Sequence, residues 1–224
     1  MSFYQQLLDA TETERNTLMS LPLITQGGSG NISLETYIAF LTQAYHHVKH
    51  TTPLLMSCGG RLPGEYEWLR NAVGEYIEEE LGHQEWILND IAVCGGDKEA
   101  VRAGKTADTA ASQATELMVS YAYDMINRVN PVGFFGMVLV LEGTSIKVAT
   151  QAGEKLMESL NLKKDAFSYL LSHGSLDISH MTFFESLMNQ VTDEENQKMI
   201  IHAAKNFYKL YGDIFRDVEA RTMQ

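Results

Sequence analysis

Proline is scarce in this sequence, with four residues in 224, and cysteine scarcer still, with two. Each proline inside a helix removes a backbone hydrogen bond, so a chain with so few has little to interrupt long helices. Two cysteines, Cys58 and Cys94, are too few for a disulfide framework, which points to a reducing, cytoplasmic setting. No apolar run reaches the roughly 20 residues that a bilayer requires. The greasiest stretch runs only from Val132 to Leu141, so no membrane partner is expected. The opening MSFYQQLLDATETER has no basic patch followed by an apolar stretch and does not read as a signal peptide. Positive charge is also in deficit. Lys and Arg number 17 against 29 Asp and Glu, a formal net charge of -12, which repels phosphate backbones and excludes nucleic acid as a natural partner.

What is present is helical periodicity, with no convincing run of strict alternation, so the fold class is all-α. The spacing predicts a first amphipathic segment over Phe3 to Leu21, then a flexible loop at Gly27, Gly28, Ser29 and Gly30. Ser33 is the expected N-cap of a second helix reaching about Cys58, bent at Pro53 and ended by Gly59-Gly60. A third helix is expected from Pro63 to Cys94, a polar stretch from Asp97 to about Thr109, and a fourth helix to Val129. Asn130-Pro131 opens a fifth helix to about Leu160. A sixth covers Lys163 to His173, Gly174-Ser175 breaks or kinks the chain, and a seventh covers Leu176 to Val191. Thr192 and Glu195 form a capping-box pattern for the last helix, out to Arg221. There is no internal repeat and no linker. The expectation is therefore one domain over residues 1–224, a bundle of seven to eight helices.

Three segments carry chemistry. Leu69, Val73, Tyr76, Glu80, His83, Ile87 and Ile91 fall three and four apart, which puts Glu80 and His83 on an otherwise apolar face. Glu142 stands in GFFGMVLVLEGTSIKV on a face with Phe135, Val138, Leu139 and Ile146, where a bare charge is costly and asks for a metal, a proton or a cation. In LSHGSLDISH, His173, Asp177 and His180 are four and three apart. Imidazoles and carboxylates at helical spacing are how a bundle assembles an iron or manganese site from facing helices. Each segment also has a purely structural alternative: a surface pair of Glu79 with His83, a salt bridge from Glu142 to another helix, an aspartate orienting a core histidine. On the second helix, Phe40, Ala44, His47, Thr51 and Leu54 share a face, and the small neighbours leave open volume beside His47. His46 and His50 form a separate pair suited to a surface patch.

The helix order resembles the haem-oxygenase-like superfamily, especially the branch containing thiaminase II (TenA) and the PqqC-type proteins. FLTQAYHH, with Tyr45 and His47, looks like the second-helix segment of thiaminase II, and NFYKLYGDIFRDV is similar to its last helix. The thiaminase groups do not carry over. The family's second-helix aspartate is Ala44 here, its nucleophilic cysteine falls near Glu142, and its last-helix glutamate falls at about Gly212. Haem oxygenases use a histidine in the first helix, and this chain has none there, so haem is not expected. The closer likeness is to the haem-oxygenase-like non-haem diiron oxidases. Their pattern of Glu and His on one helix, a lone central Glu and a His-x-x-x-Asp-x-x-His segment is matched by Glu80-x-x-His83, Glu142 and His173, Asp177 and His180. Some members place the acidic ligand one turn earlier, where this chain has Tyr76.

That resemblance implies a homodimer holding one or two non-haem irons, with manganese as the other metal, acting on a small molecule with dioxygen. Glu80, His83, Glu142, His173, Asp177 and His180 are the implied ligands. Glu80, Glu142 and Asp177 would offset the metal's charge and shift to admit dioxygen. Tyr45, His47, Tyr76 and Phe135 are the expected pocket walls. Two other classes stay open: a TenA-type cofactor-free hydrolase or lyase in thiamine-related metabolism, and a non-catalytic helical binding protein. Because Ala44 and Gly212 replace two activating carboxylates, thiamine turnover by the purified protein is expected to be absent. Turnover that disappears in Cys58→Ser or Cys94→Ser would overturn that reading.

Overall fold

A computed structural model describes residues 1–223, and the side chains of all of these except 146, 147 and 173–180. The described residues contain helices and no strand: α1 (Phe3–Ala10), α2 (Glu12–Met19), α3 (Pro22–Gly28), α4 (Leu34–Val48), α5 (Thr51–Arg61), α6 (Glu67–Glu80), α7 (His83–Val93), α8 (Lys98–Ala103), α9 (Gln113–Asp124), α10 (Phe135–Ser159), α11 (Ser168–Met188) and α12 (Glu194–Thr222). Among the described residues no single helix is long and apolar enough to cross a membrane.

The helix starts follow side-chain capping. Ser33 Oγ accepts from the Thr36 amide at 3.0 Å, as expected. Asn130 Oδ1 accepts from the Val132 amide at 2.9 Å, with Pro131 in the first position of the turn that leads into α10. Asp193, not Thr192, caps α12, accepting from the Asn196 amide at 2.8 Å.

The helices are shorter and more numerous than the sequence pattern suggests, and each difference has a local cause. The first segment breaks at Thr11, whose hydroxyl turns back onto the Leu7 carbonyl at 2.8 Å. Gly27 and Gly28, expected in a loop, close the last turn of α3, which Pro22 opens. The second helix divides at Lys49-His50, upstream of Pro53, and α5 then runs through Gly59-Gly60 to Arg61. Pro53 therefore sits in the first turn of a new helix, where its missing N–H costs nothing. The polar stretch after Gly96 contains α8, capped by Asp97. The fourth helix gives way after Asp124 to a wider π turn over Met125–Val129. The sixth and seventh helices are one: α11 passes through Gly174-Ser175 without a break. A glycine inside a helix costs only about 1 kcal/mol, which packing against α10 readily offsets.

The third predicted helix divides at Leu81-Gly82. Gly82 has φ 93, a left-handed conformation that only glycine adopts at little cost. Glu80 thus ends α6 and His83 begins α7.

The longest helix, α12, buries Ile200, Ala203, Ala204, Phe207, Tyr211, Ile214, Phe215 and Val218, a stripe at helical spacing. It meets α10 closely at Gly136, where an added Cβ would stand 2.5 Å from the Ala204 amide nitrogen. A second cluster of apolar side chains joins α4, α7 and α11 through Tyr37, Leu41, Ile87, Leu88, Ile91 and Phe167. Within it lies Asp90, fully buried on α7, whose carboxylate accepts from the backbone amides of Ser168 at 3.0 Å and Tyr169 at 2.8 Å. That carboxylate caps α11 from across the core. Tyr37 of α4 donates to the Ala166 carbonyl at 2.9 Å just before the same helix.

Burial raises the Asp90 pKa above the ordinary carboxylate value, and the two backbone amides counter this only in part. A carboxyl whose folded pKa is raised contributes stability that is present below its unfolded value and declines as pH climbs through the folded one. Asp90→Asn should therefore flatten the fall in stability on the alkaline side of about pH 4, read by urea unfolding at a series of pH values. Asp90→Ala should cost about 1–2 kcal/mol through loss of the cap. An unchanged pH slope in Asp90→Asn would refute the assignment.

Candidate functional site

A cavity opens where α4, α5, α6, α10, α11 and α12 converge. His47 and Thr51 reach it from α4 and α5, Tyr76 and Glu80 from α6, Glu142 and Ser145 from α10, Tyr169 from α11 and Tyr211 from α12. Leu54, Leu55, Phe134, Met137, Val138 and Leu141 complete an apolar wall. The carboxylates of Glu80 and Glu142 are its acidic groups, and no lysine or arginine stands among its described lining residues.

The expected residues are distributed as follows. Glu80, Glu142, Tyr76 and His47 come together on this cavity. His83 does not line it; it sits behind Glu80, with Nδ1 3.0 Å from Glu80 Oε2, buried and stacked on the Trp86 ring at 4.1 Å. Glu80 is thus a partner of His83. His47 is buried and meets the Tyr211 ring edge-on at 5.8 Å. His46 is buried too, not part of a surface patch, and its Nε2 lies 2.7 Å from the Thr109 carbonyl, while His50 approaches the Tyr123 hydroxyl at 3.3 Å. His173, Asp177 and His180 are carried by α11, and their side chains lie outside the described residues.

Two expected wall residues are elsewhere. Tyr45 does not line this cavity; it is packed against His46 at 5.1 Å and beneath the Lys49 ammonium at 5.4 Å. Phe135 is fully buried in the core, and its neighbour Phe134 lines the cavity in its place. The chain enters α10 through a 3-10 turn at Pro131–Phe134, which rotates the faces from those of a continuous α-helix. Tyr169, Tyr211 and Ser145 were not anticipated. Tyr211 lies in the apolar stripe of α12 and reads as an ordinary core residue. The one available signal was the hydroxyl, which a core tyrosine must satisfy.

Electrostatics bind the site together. The Tyr76 phenol is held well above its ordinary pKa, first by burial and then by the negative charge of Glu142, with Glu79, Glu80 and Glu75 adding to it. It stays protonated across the physiological range, with the Glu142 charge near enough to raise it further. Burial also raises Tyr211. The cysteines take no part. Cys58 is buried, donates to the Pro131 carbonyl at 3.4 Å and has its thiol pushed up to about 12. Burial and the Asp90 charge push Cys94 up to about 11.

Carboxylates, an imidazole and a protonated phenol in a largely apolar chamber form an oxygen- and nitrogen-donor environment without thiolate. Several solved structures share the fold. A domain of unknown function from Shewanella denitrificans with a haem oxygenase-like fold is 23% identical, with a TM-score of 0.84 over 97% of this chain and 92% of its own. A TenA homologue from Pseudomonas syringae is 12% identical, with a TM-score of 0.82 over 97% and 93%. The haem oxygenase of Leptospira interrogans is 16% identical, with a TM-score of 0.76 over 97% and 100%. No curated protein matches the sequence. Residues 38–212 match the family described as iron-containing redox enzyme. That match takes in most of the chain, including every described residue that lines the cavity, and the chain belongs to this family, with a haem oxygenase-like fold.

Proposed function

We propose that this chain is a non-haem iron-dependent oxidase or oxygenase acting on a small molecule with dioxygen. The observation that supports it most is the convergence of Glu80, braced by His83, and Glu142 on one apolar chamber. Carboxylate and imidazole donors without thiolate suit ferrous iron or manganese better than structural zinc or an iron–sulfur cluster. Among the described residues no three His, Cys, Asp or Glu side chains are gathered closely enough to hold a metal ion. The proposed ligand set therefore draws on His173, Asp177 and His180 of α11 in addition to Glu80 and Glu142, with His83 behind Glu80.

In this reading, iron when bound supplies the dioxygen and redox chemistry, and the chain supplies the setting. Glu80 and Glu142 offset the metal's charge. His83 fixes the orientation of Glu80 through the 3.0 Å contact. Tyr76, kept protonated, holds a proton next to Glu142. The walls of Leu54, Leu55, Val138 and Leu141 exclude water from the reacting groups. A cytoplasmic location, in keeping with two free cysteines, and a homodimeric assembly are proposed with it.

The likeness to TenA homologues favours a second reading, a cofactor-free hydrolase or lyase. That reading requires a nucleophile other than Cys58 and Cys94, which lie outside the cavity with raised thiol pKa values.

Metal content separates the two. Protein loaded anaerobically with ferrous iron and desalted should retain about one to two irons per chain. Iron at a hundredfold excess over its dissociation constant should stabilise the fold by roughly 3 kcal/mol. Glu142→Gln and Glu142→Leu should lose much of that gain and keep the metal-free stability. Negligible uptake of iron, manganese and zinc by the wild type would sink the proposal. Equal shifts in all three proteins would remove Glu142 from the ligand set.

A further inference from the structure

A second cavity adjoins the chamber that holds Glu80 and Glu142, and Ser145, Tyr169 and Tyr211 line both. Those side chains are the partition between the two spaces. Leu23, Ile24, Phe40, Val148, Leu170 and Phe215 are among the walls of the second cavity, and no acidic, basic or imidazole side chain is among its described lining residues. Gly27, Gly28, Ala149 and Ala152 leave it room where α3 faces α10. A leucine at either alanine would fill that room, so the space follows from small side chains on two facing helices.

The hydroxyls along its walls are largely committed elsewhere. Tyr37 donates to the Ala166 carbonyl at 2.9 Å, Thr144 to the Val140 carbonyl at 2.6 Å and Ser145 to the Glu142 carbonyl at 2.9 Å. A water molecule is held in a cavity only where it finds about two to four polar partners, and protons spent on backbone carbonyls are not available to it. Tyr169 and Tyr211 carry the remaining phenols, and they stand at the boundary with the chamber. The cavity volume is about 80 Å³. A pocket for a drug-sized ligand spans roughly 300–1,000 Å³. The occupant that this size and these walls select is a small, uncharged, apolar molecule.

In the reaction proposed above, dioxygen is the reactant that fits this description. We propose that the apolar cavity is a dioxygen-holding site, from which the gas reaches the chamber past Ser145, Tyr169 and Tyr211. This inference rests on the reading that the Glu80–Glu142 chamber uses dioxygen, and adds where the gas is held before it reacts. The chamber's carboxylates and the metal they would hold take no part in the selection, since a neutral gas is drawn by the apolar walls alone. Holding a sparingly soluble gas next to the chamber raises its local concentration where it is consumed.

The test is nuclear magnetic resonance of methyl-labelled full-length protein, purified in air and compared under dioxygen and under nitrogen. Dioxygen is paramagnetic and speeds the relaxation of methyl groups it approaches, while any bound metal contributes equally to both samples. The added relaxation at Leu23, Ile24 and Val148 should be at least about fourfold larger than at Leu7 and Leu88, the gain when a group of one or two heavy atoms leaves water. Leu7 and Leu88 are fully buried and line neither cavity. Leu54 and Val138, in the chamber, should show less than Leu23 and Ile24. Ala149→Leu should bring Leu23 and Ile24 down to the level of Leu7. Ala152→Leu is the second variant and should do the same; Ala152 is half-buried, so the fold accepts the larger side chain more readily. Uniform relaxation across the core, a maximum in the chamber, or an unchanged pattern in both variants would overturn the inference. Anaerobic iron uptake is measured on the same proteins. Normal uptake with uniform relaxation removes this inference alone, and a maximum at Leu23 and Ile24 without uptake of any metal removes the iron reading alone.

Discussion

Burying a carboxylate away from water without compensation costs on the order of several kcal/mol, and Glu142 stands on the apolar face of α10 under that constraint. The surroundings answer it. Tyr76 sits close enough for the carboxylate's charge to raise its phenol, and Glu80, the second carboxylate of the chamber, is matched by His83. Both acidic groups line the same cavity.

The same logic operates at Asp90, with a different outcome. Its carboxylate is also buried, yet it is spent on backbone: two amides at the start of α11 take both oxygens. Asp90 belongs to α7, the helix that His83 opens, and it grips α11, the helix that carries residues 173, 177 and 180. Tyr37 of α4 ties the preceding residue pair from the other side through Ala166. Three helices, two of which (α4 and α11) border the chamber, are thereby held at one point. The first residue of that cap on the cavity side is Tyr169, which lines both chambers. The cap therefore positions a wall residue as well as a helix.

Fold class and most helix positions were legible from periodicity and caps, since Ser33 and Asn130-Pro131 act through contacts within a few residues. The breaks were not. Thr11, Lys49-His50 and Leu81-Gly82 interrupt patterns that keep their apolar spacing straight through, because a bend between two helices facing one core leaves the buried face unchanged. Gly174-Ser175 erred the other way: a local breaker yielded to packing against a long neighbour. In the site, Glu80, Glu142, Tyr76 and His47 were legible because a polar group on an apolar face is conspicuous. Tyr169 and Tyr211 were hidden for the opposite reason, since an aromatic in an apolar stripe looks like core. Phe135 missed by one position, as a 3-10 entry to α10 turned Phe134 into the cavity instead. Tyr45 followed a likeness to another family's second helix, whereas here it rests on the far side of α4.

The left-handed residue between Glu80 and His83 has a mechanical consequence. On an unbroken helix the two side chains would be locked to one another by the pitch, and any change in one would drag the other by a fixed angle. With Gly82 between them, each belongs to its own rigid rod, and their meeting depends on a hinge of two residues. Insertions or slips along α6 need not propagate into α7. A chain built this way can retune the distance between an acid and an imidazole by altering a joint, leaving the packing of both helices against the core as it was.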